Sequence, residues 1–176
     1  SQHAQSAKAE AERVRLMAEG SRAEAEKLVV YLLEDFYAEL EPVGRLDVVA
    51  ELAKSAIAYY KELPAELRAP SSRRNHALAL IRLGDVANAQ LRAQGEDSGA
   101  TRLAMAYARV AQGGVLSSQA NQAAAAQKYR DALEMLNSIA TQSTESRNAA
   151  ALEGQAYLGL GTAESRMPDD ASRQNF

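Results

Sequence analysis

Apolar and small residues recur over residues 4–32 at alternating steps of four and three. These positions are Ala7, Ala11, Val14, Ala18, Ser21, Ala25, Leu28 and Leu32. Such spacing is a heptad repeat and predicts a long N-terminal helix with one apolar seam. The seam is weak at its start, because Ala and Ser bury little surface. It strengthens from Leu28 onward, where Val29, Leu33, Phe36 and Leu40 widen it to a globular helix face.

Residues 1–27 are therefore predicted to form a coiled-coil-like helix ahead of a globular part. Two interpretations stay open: a solvated helix rich in Ala, Glu and Arg, or a helix that pairs with a second copy of the chain. Pairing would use six positions of the seam: Ala11, Val14, Ala18, Ala25, Leu28 and Leu32.

The stretch from Glu34 to Asp47, EDFYAELEPVGRLD, crowds acids around one arginine and contains a Pro/Gly break. Pro42 cannot continue a helix, and Gly44 permits a positive φ. Asp47 is a suitable N-cap for the helix that follows. No histidine or serine lies nearby in the sequence to form an acid/base pair with the carboxylates. The stretch predicts a corner between helices and not a catalytic site.

Five further segments carry apolar residues at the 3.6-residue period of a helix. Their markers are Val49, Leu52, Ala53, Ala56, Ile57, Tyr60 and Leu63; Ala77, Leu80, Ile81, Gly84, Ala87 and Leu91; Leu103, Ala104, Tyr107 and Val110; Ala125, Ala126, Tyr129, Ala132, Leu133, Leu136 and Ile139; and Ala149, Leu152, Ala156, Gly159, Leu160 and Ala163. No segment alternates with period two, so the sequence predicts an all-α fold.

Turn-forming and capping residues separate these helices. They are Pro64 with a loop over 65–72, Gly95, Asp97 or Ser98, Gly113-Gly114 and Pro168. Gly and Pro end helices, whereas Asp and Ser cap their first turn. The glycine pair is expected to weaken the end of its helix. Residues 167–176 are predicted to form a disordered tail.

Composition argues against several functions. The 176 residues carry a net charge of −3, so no excess positive field attracts nucleic acid. The absence of cysteine removes thiol nucleophiles, disulfides and cysteine-based zinc sites. The acids Glu34, Asp35 and Glu39 suggest a helical di-metal site, but neither His3 nor His76 has the glutamate three positions earlier that such a site needs. We therefore expect no catalytic residue, metal or cofactor, and a protein that is not an enzyme.

Nothing in the sequence is apolar enough to span a bilayer, since the longest apolar stretch runs only from Leu28 to Leu33. The chain begins at Ser1 without a signal-peptide pattern. We expect a soluble fragment of a longer protein.

Two Leu-Gly pairs, Leu83-Gly84 and Leu158-Gly159, fall inside predicted helices. A glycine in mid-helix costs about 1 kcal/mol relative to alanine, so each pair indicates a place where another helix backbone comes too close for a Cβ. Ala125, Tyr129 and Ala132 follow one another on a further helix at steps of four and three. Together these residues resemble the tetratricopeptide repeat. The resemblance implies antiparallel helical hairpins stacked as a solenoid over residues 28–166.

The spacing of the pairs departs from a regular array. They lie 75 residues apart, whereas two repeats of about 34 residues would separate them by about 68. We expect an insertion within 137–148, and degenerate or elongated repeats over about 46–166. An irregular α-helical bundle stays open as the alternative architecture.

A second resemblance covers about residues 21–95 and is most specific around 40–47. The run SRAEAEKLVVYLLEDFYAELEPVGRLDVVAELAKSAIAYY resembles the segment that opens the repeat region of certain bacterial multidomain signalling proteins. In these proteins an effector such as a kinase, cyclase, TIR or caspase-like module precedes a membrane helix, a juxtamembrane helix and the repeats. The resemblance implies that residues 1–27 are the juxtamembrane helix of a membrane-anchored bacterial protein, whose span is absent from this sequence. It does not say on which side of the membrane the domain lies.

These observations favour a non-catalytic interaction domain that binds a protein or peptide as a scaffold or sensor. Repeat solenoids bind through side chains that point away from their core. The candidate contacts are Arg74, Asn75, Arg82, Asn88, Arg92, Asn148 and Gln155. The alternative function is homo-oligomerisation through the N-terminal seam, which would transmit a state to an attached effector.

Overall fold

The computed structural model describes residues 2–95, 97–139 and 145–168, and this part of the chain is helical without a strand. The helices are α1 (Gln2–Leu33), α2 (Asp35–Leu40), α3 (Leu46–Glu62), α4 (Pro70–Gln94), α5 (Gly99–Ser118), α6 (Gln122–Asn137) and α7 (Ser146–Ser165). A 3₁₀ turn at Ala65–Leu67 connects α3 to α4. The predicted all-α fold is confirmed. Residues 140–144 of the expected insertion and 169–176 of the expected tail lie outside the described residues.

Helices that follow one another from α3 to α7 pack side by side and antiparallel. Helices further apart in the chain also touch, because α7 lies on α5 and α1 lies on α4. Glu26 of α1 accepts a hydrogen bond from Ser71 at the start of α4, and Arg82, later in α4, donates to the carbonyl of Leu33 at the end of α1. Consequently, α1 and α4 run parallel.

The core consists of three clusters with many alanines. They comprise Leu33, Ala53, Ala56, Ile57 and Ala79; Leu103, Ala106, Leu136, Ile139, Ala149 and Leu152; and Ala125, Ala126, Tyr129 and Ala163. Small side chains let the helix backbones approach closely. The predicted set Ala125, Tyr129 and Ala132 is buried. Met167, assigned from the sequence to the tail, packs against the third cluster.

The glycines of the two Leu-Gly pairs create space in different ways. A Cβ on Gly84 would overlap the Cβ of Ala108 on α5 and lie 3.4 Å from the carbonyl oxygen of Ala104, so the predicted close approach of a second helix is confirmed there. A Cβ on Gly159 would instead overlap the ring of Tyr129. In the second pair the glycine therefore makes room for an aromatic side chain, where the sequence predicted a neighbouring backbone.

Gly113 belongs to the same arrangement around Tyr129. A Cβ on Gly113 would lie 2.8 Å from two ring carbons of Tyr129. The helix α5 continues past Gly113-Gly114 to Ser118, so the glycine pair, expected to weaken the end of α5, does not end it. The packed ring of Tyr129 offsets the conformational cost of glycine at that position.

Several predicted boundaries are confirmed by backbone geometry. Gly95 ends α4 with a left-handed φ of 65°, and Gly44 has a φ of 72° in the corner before α3. Ser98 caps α5, because its Oγ accepts a hydrogen bond from the amide of Thr101 at 3.1 Å.

Two other boundaries were predicted wrongly. Asp47 is not an N-cap, because α3 begins at Leu46 and Asp47 lies in its first turn, paired with Arg45 at 3.0 Å. The loop expected over 65–72 is shorter, since α4 starts at Pro70. Proline is favoured in the first turn of a helix, where its missing N–H has no intrahelical partner to lose.

The apolar face expected to run without interruption to Leu40 is broken after Leu33. Arg82 Nε donates a hydrogen bond to the Leu33 carbonyl at 2.7 Å, and its guanidinium lies 4.2 Å from the ring centroid of Tyr37 on α2. The side chain of Arg82 thus satisfies a carbonyl at the helix end. Arg82 thereby contacts both the end of α1 and α2.

Candidate functional site

A groove with a volume of about 690 Å³ lies between α1 and α4 and is closed by Val115 of α5. Its lining from α1 is Arg22, Ala23, Glu26, Lys27, Val30 and Tyr31, continued by Glu34 and Asp35. Its lining from α4 is Ser71, Arg74, Asn75, Leu78 and Ile81. Because α1 and α4 are parallel, both helices present successive turns along the whole length of the groove.

The groove is apolar in its middle and charged at its ends. Val30, Leu78, Ile81 and Val115 supply half-buried aliphatic side chains. Arg74 is exposed at one end, near the start of α4. An apolar floor gives affinity for apolar groups, and the charges at its ends orient what binds there.

Glu34 and Asp35 supply the opposite charge at the other end, where α1 meets α2. Both side chains are exposed. The groove therefore carries a basic end and an acidic end, which favours a ligand with the reverse order of charges.

A buried carboxylate fixes one wall of the groove to the other. Glu26 is 5% exposed and accepts hydrogen bonds from Ser72 Oγ, from Ser71 Oγ at 2.8 Å and from Arg22 Nη1 at 2.8 Å. Buried carboxylates are costly unless they are paired and hydrogen-bonded. These three partners satisfy Glu26 and hold α1 against the first turn of α4.

The pKa of Glu26 reflects the same contacts. Burial by itself raises the pKa of this carboxyl group, but the hydrogen bonds from Ser72, Ser71 and Arg22 outweigh burial, and the net pKa lies below its ordinary value. Glu26 is consequently ionised at neutral pH, and its charge is compensated by Arg22.

The structure brings only two of the predicted contact residues into the groove. Arg74 and Asn75 line it, and Asn75 is buried there. Arg82 is occupied by Leu33, by Tyr37 and by an ion pair with Asp85 at 3.0 Å. The remaining four predicted residues do not line the groove: Asn88, Arg92, Asn148 and Gln155.

The sequence analysis missed the contribution of α1 to the groove, and on the other side of the groove it missed Ser71, Leu78 and Val115. Residues before position 28 were assigned to a separate helix, yet Arg22 and Glu26 already pack on α4. The available signal was the spacing of Arg22, Glu26, Val29 and Leu33, which forms one face of a helix. Because Arg22 and Glu26, at the start of this face, are charged, the face does not look apolar in the sequence.

The predicted seam lies outside the groove. Val14 is 54% exposed and Leu28 is 58% exposed. Ala11 is exposed, whereas Ala18, Ala25 and Leu32 are half-buried. Residues 2–17 of α1 are exposed throughout. An apolar stripe therefore remains accessible on a helix that projects from the body of the domain.

Comparisons with protein families, with curated proteins and with solved structures give no match to this chain. Within residues 2–95, 97–139 and 145–168, no group of three or more His, Asp or Glu side chains is arranged to hold a metal ion. The same residues contain no helix with the length and apolar character of a membrane span.

Proposed function

We propose that this chain is a non-catalytic interaction domain that binds a peptide segment of a protein partner in the groove between α1 and α4. The observation that carries the proposal is a groove with an apolar middle and opposite charges at its two ends. The bound peptide packs apolar side chains against Val30, Leu78, Ile81 and Val115. An acidic group of the peptide pairs with Arg74, and a basic group pairs with Glu34 and Asp35 at the opposite end.

The arrangement of the helices supports this proposal. Parallel α1 and α4, separated in the chain by α2 and α3, resemble the parallel helices that successive hairpins of a tetratricopeptide-like stack present on their binding face. Such a stack binds extended peptides or helices without chemistry of its own. On this proposal the chain is the scaffold or sensor region of a bacterial membrane-anchored signalling protein, as the resemblance of residues 21–95 implies.

Selection from a library of random twelve-residue peptides tests the proposal. The library is selected on the full chain, and enriched peptides are then titrated against Arg74→Glu and against the control Arg92→Glu. Both arginines are exposed on α4, but only Arg74 lines the groove. We expect Arg74→Glu to weaken binding by about tenfold, as loss of a charge-assisted contact does, and Arg92→Glu to leave it unchanged. Absence of enrichment, or equal binding to both variants, would overturn the proposal.

A second function is favoured by the exposed stripe on α1. Exposed Val14 and Leu28 on a projecting helix supply the apolar contacts that a parallel pair of chains needs. Self-association through this stripe would transmit a state to an attached effector. Light scattering of the full chain and of a chain lacking residues 1–17 tests it, because this deletion keeps Arg22 and Glu26 in place. A dimer that becomes a monomer supports self-association, and two monomers exclude it.

A further inference from the structure

A second cavity, with a volume of about 270 Å³, lies where the end of α3 meets the first turns of α4. Its lining is Tyr60, Lys61, Arg68, Ser72, Arg73 and His76. Ser72, Arg73 and His76 alternate along α4 with Ser71, Arg74 and Asn75 of the groove, so the two sites flank the same helix. The cavity has no part in the peptide-binding proposal.

Two buried polar atoms of this cavity make no well-formed hydrogen bond in the described part of the chain, although the Asn75 side chain lies close to one of them. They are the Tyr60 hydroxyl and His76 Nε2, on rings that stack with centroids 5.9 Å apart. Tyr60 is only 4% exposed. A buried hydroxyl or imidazole nitrogen without a hydrogen bond is costly, so such groups usually have a partner.

Both groups can donate a hydrogen bond at neutral pH. Burial raises the pKa of Tyr60 to about 12, so its hydroxyl keeps its proton. Burial, with the positive charges of Lys61 and Arg68, lowers the pKa of His76, so this ring stays neutral and carries one N–H.

The charge around the cavity is positive. Lys61, Arg68 and Arg73 belong to the lining, and no carboxylate does. Arg68 donates to the Leu63 carbonyl at 2.9 Å, which fixes its guanidinium. Lys61 and Arg73 make no ion pair with any described residue.

Two neighbouring features complete the electrostatics of the cavity. Glu26 contacts Ser72 of the lining, but Arg22 compensates its charge. The first turn of α4 adds the positive end of a 25-residue helix. The net field at the cavity is thus suited to an anion.

We infer that this cavity binds an oxyanion of the phosphate class. A phosphate group offers several acceptor oxygens and close to two negative charges, which match the Tyr60 hydroxyl, the His76 ring and the cations Lys61 and Arg73. The same group is supplied by free phosphate or by a phosphorylated side chain. The inference stands independently of what occupies the groove.

Isothermal titration of the full chain with inorganic phosphate, at ionic strength matched by chloride, tests the inference. The variants are Tyr60→Phe, which removes only the hydroxyl, and Arg73→Gln, with Arg92→Gln as the matched control, because Arg92 is exposed on the same helix and lines neither the groove nor this cavity. We expect each of the first two to weaken phosphate binding by about tenfold, as loss of a hydrogen bond to a charged group does. Arg92→Gln is expected to bind phosphate like the unchanged chain.

Thermal unfolding of the same variants separates binding from folding, because Tyr60→Phe keeps the ring that packs in the core. A second titration with a phosphoserine hexapeptide distinguishes the sources. Binding of inorganic phosphate indicates a free anion, and binding of the peptide alone indicates a phosphorylated side chain. Binding of neither, or equal binding to all variants, would overturn the inference.

Discussion

Substitution of Gly84 by alanine tests the close packing of α4 against α5. An alanine side chain at this position would overlap the Cβ of Ala108, which can move only with the backbone of α5. Overpacking of this kind costs about 1–3 kcal/mol, and this site belongs at the upper end because the overlap involves an atom next to the backbone. Alanine regains about 1 kcal/mol of helix propensity. The net loss in the free energy of unfolding is then about 2 kcal/mol.

Gly154→Ala is the matched control for Gly84→Ala. Gly154 is also inside a helix, α7, but a Cβ there meets no atom within 4 Å. This substitution is expected to raise the free energy of unfolding by up to about 1 kcal/mol. The two glycine variants therefore shift stability in opposite directions.

Urea unfolding followed by circular dichroism at 222 nm measures both changes. With a denaturant dependence of about 2 kcal/mol/M, Gly84→Ala lowers the midpoint by about 1 M and Gly154→Ala raises it by up to about 0.5 M. If Gly84→Ala were as stable as the unchanged chain, the contact between α4 and α5 would be looser than the structure shows, and the reasoning would fail.

Three further predictions concern the polar and aromatic contacts. Glu26→Gln is expected to increase amide hydrogen exchange in residues 18–33 and to flatten the pH dependence of stability, and unchanged exchange would contradict this. The folded-state pKa of Glu26 is lowered, so the stability that its carboxylate contributes is present above its unfolded-state pKa. That contribution is lost as the pH falls through the folded-state pKa. Tyr129→Ala should cost about 3–5 kcal/mol in urea unfolding, because it empties the space between α5 and α7, and a loss below 1 kcal/mol would disprove that packing. Arg82→Ala should free the Leu33 carbonyl and increase exchange in α2, while the exchange of α7 stays the same.

Local signals in the sequence predicted the helices and several of their ends. The 3.6-residue period defines the buried faces of α3 to α7, and Gly44, Gly95 and Ser98 have backbone roles that depend on their immediate neighbours. Such features can be read without knowing the partner helix. The N-cap of α3 was missed because Arg45 and Asp47 pair with each other, which leaves no cap from Asp47.

The groove was only partly predictable, because it depends on which helices meet. Periodicity shows that Leu33 is buried but not that α4, nearly fifty residues later, lies parallel to α1. Residue type alone does not distinguish Glu26 from the exposed glutamates of α1, since glutamate is rarely buried without partners. Ser71 and Ser72, which supply these partners, are recognisable only once the two helices are packed together.

The surroundings of Tyr129 were also only partly predictable, because they too depend on which helices meet. Its spacing from Ala125 and Ala132 predicted a buried aromatic, and that is confirmed. The role of Gly113 in accepting its ring required knowledge that α5, α6 and α7 meet at one point.

Methyl NMR of the full chain with a selected peptide tests the central claim most directly, because it locates the bound segment on the surface. We expect chemical-shift changes to concentrate on the methyl groups of Val30, Leu78, Ile81 and Val115 in the groove. Changes confined to Val14 and Leu28 on the exposed stripe of α1, or to residues of α7, would contradict the assignment of the groove as the binding site.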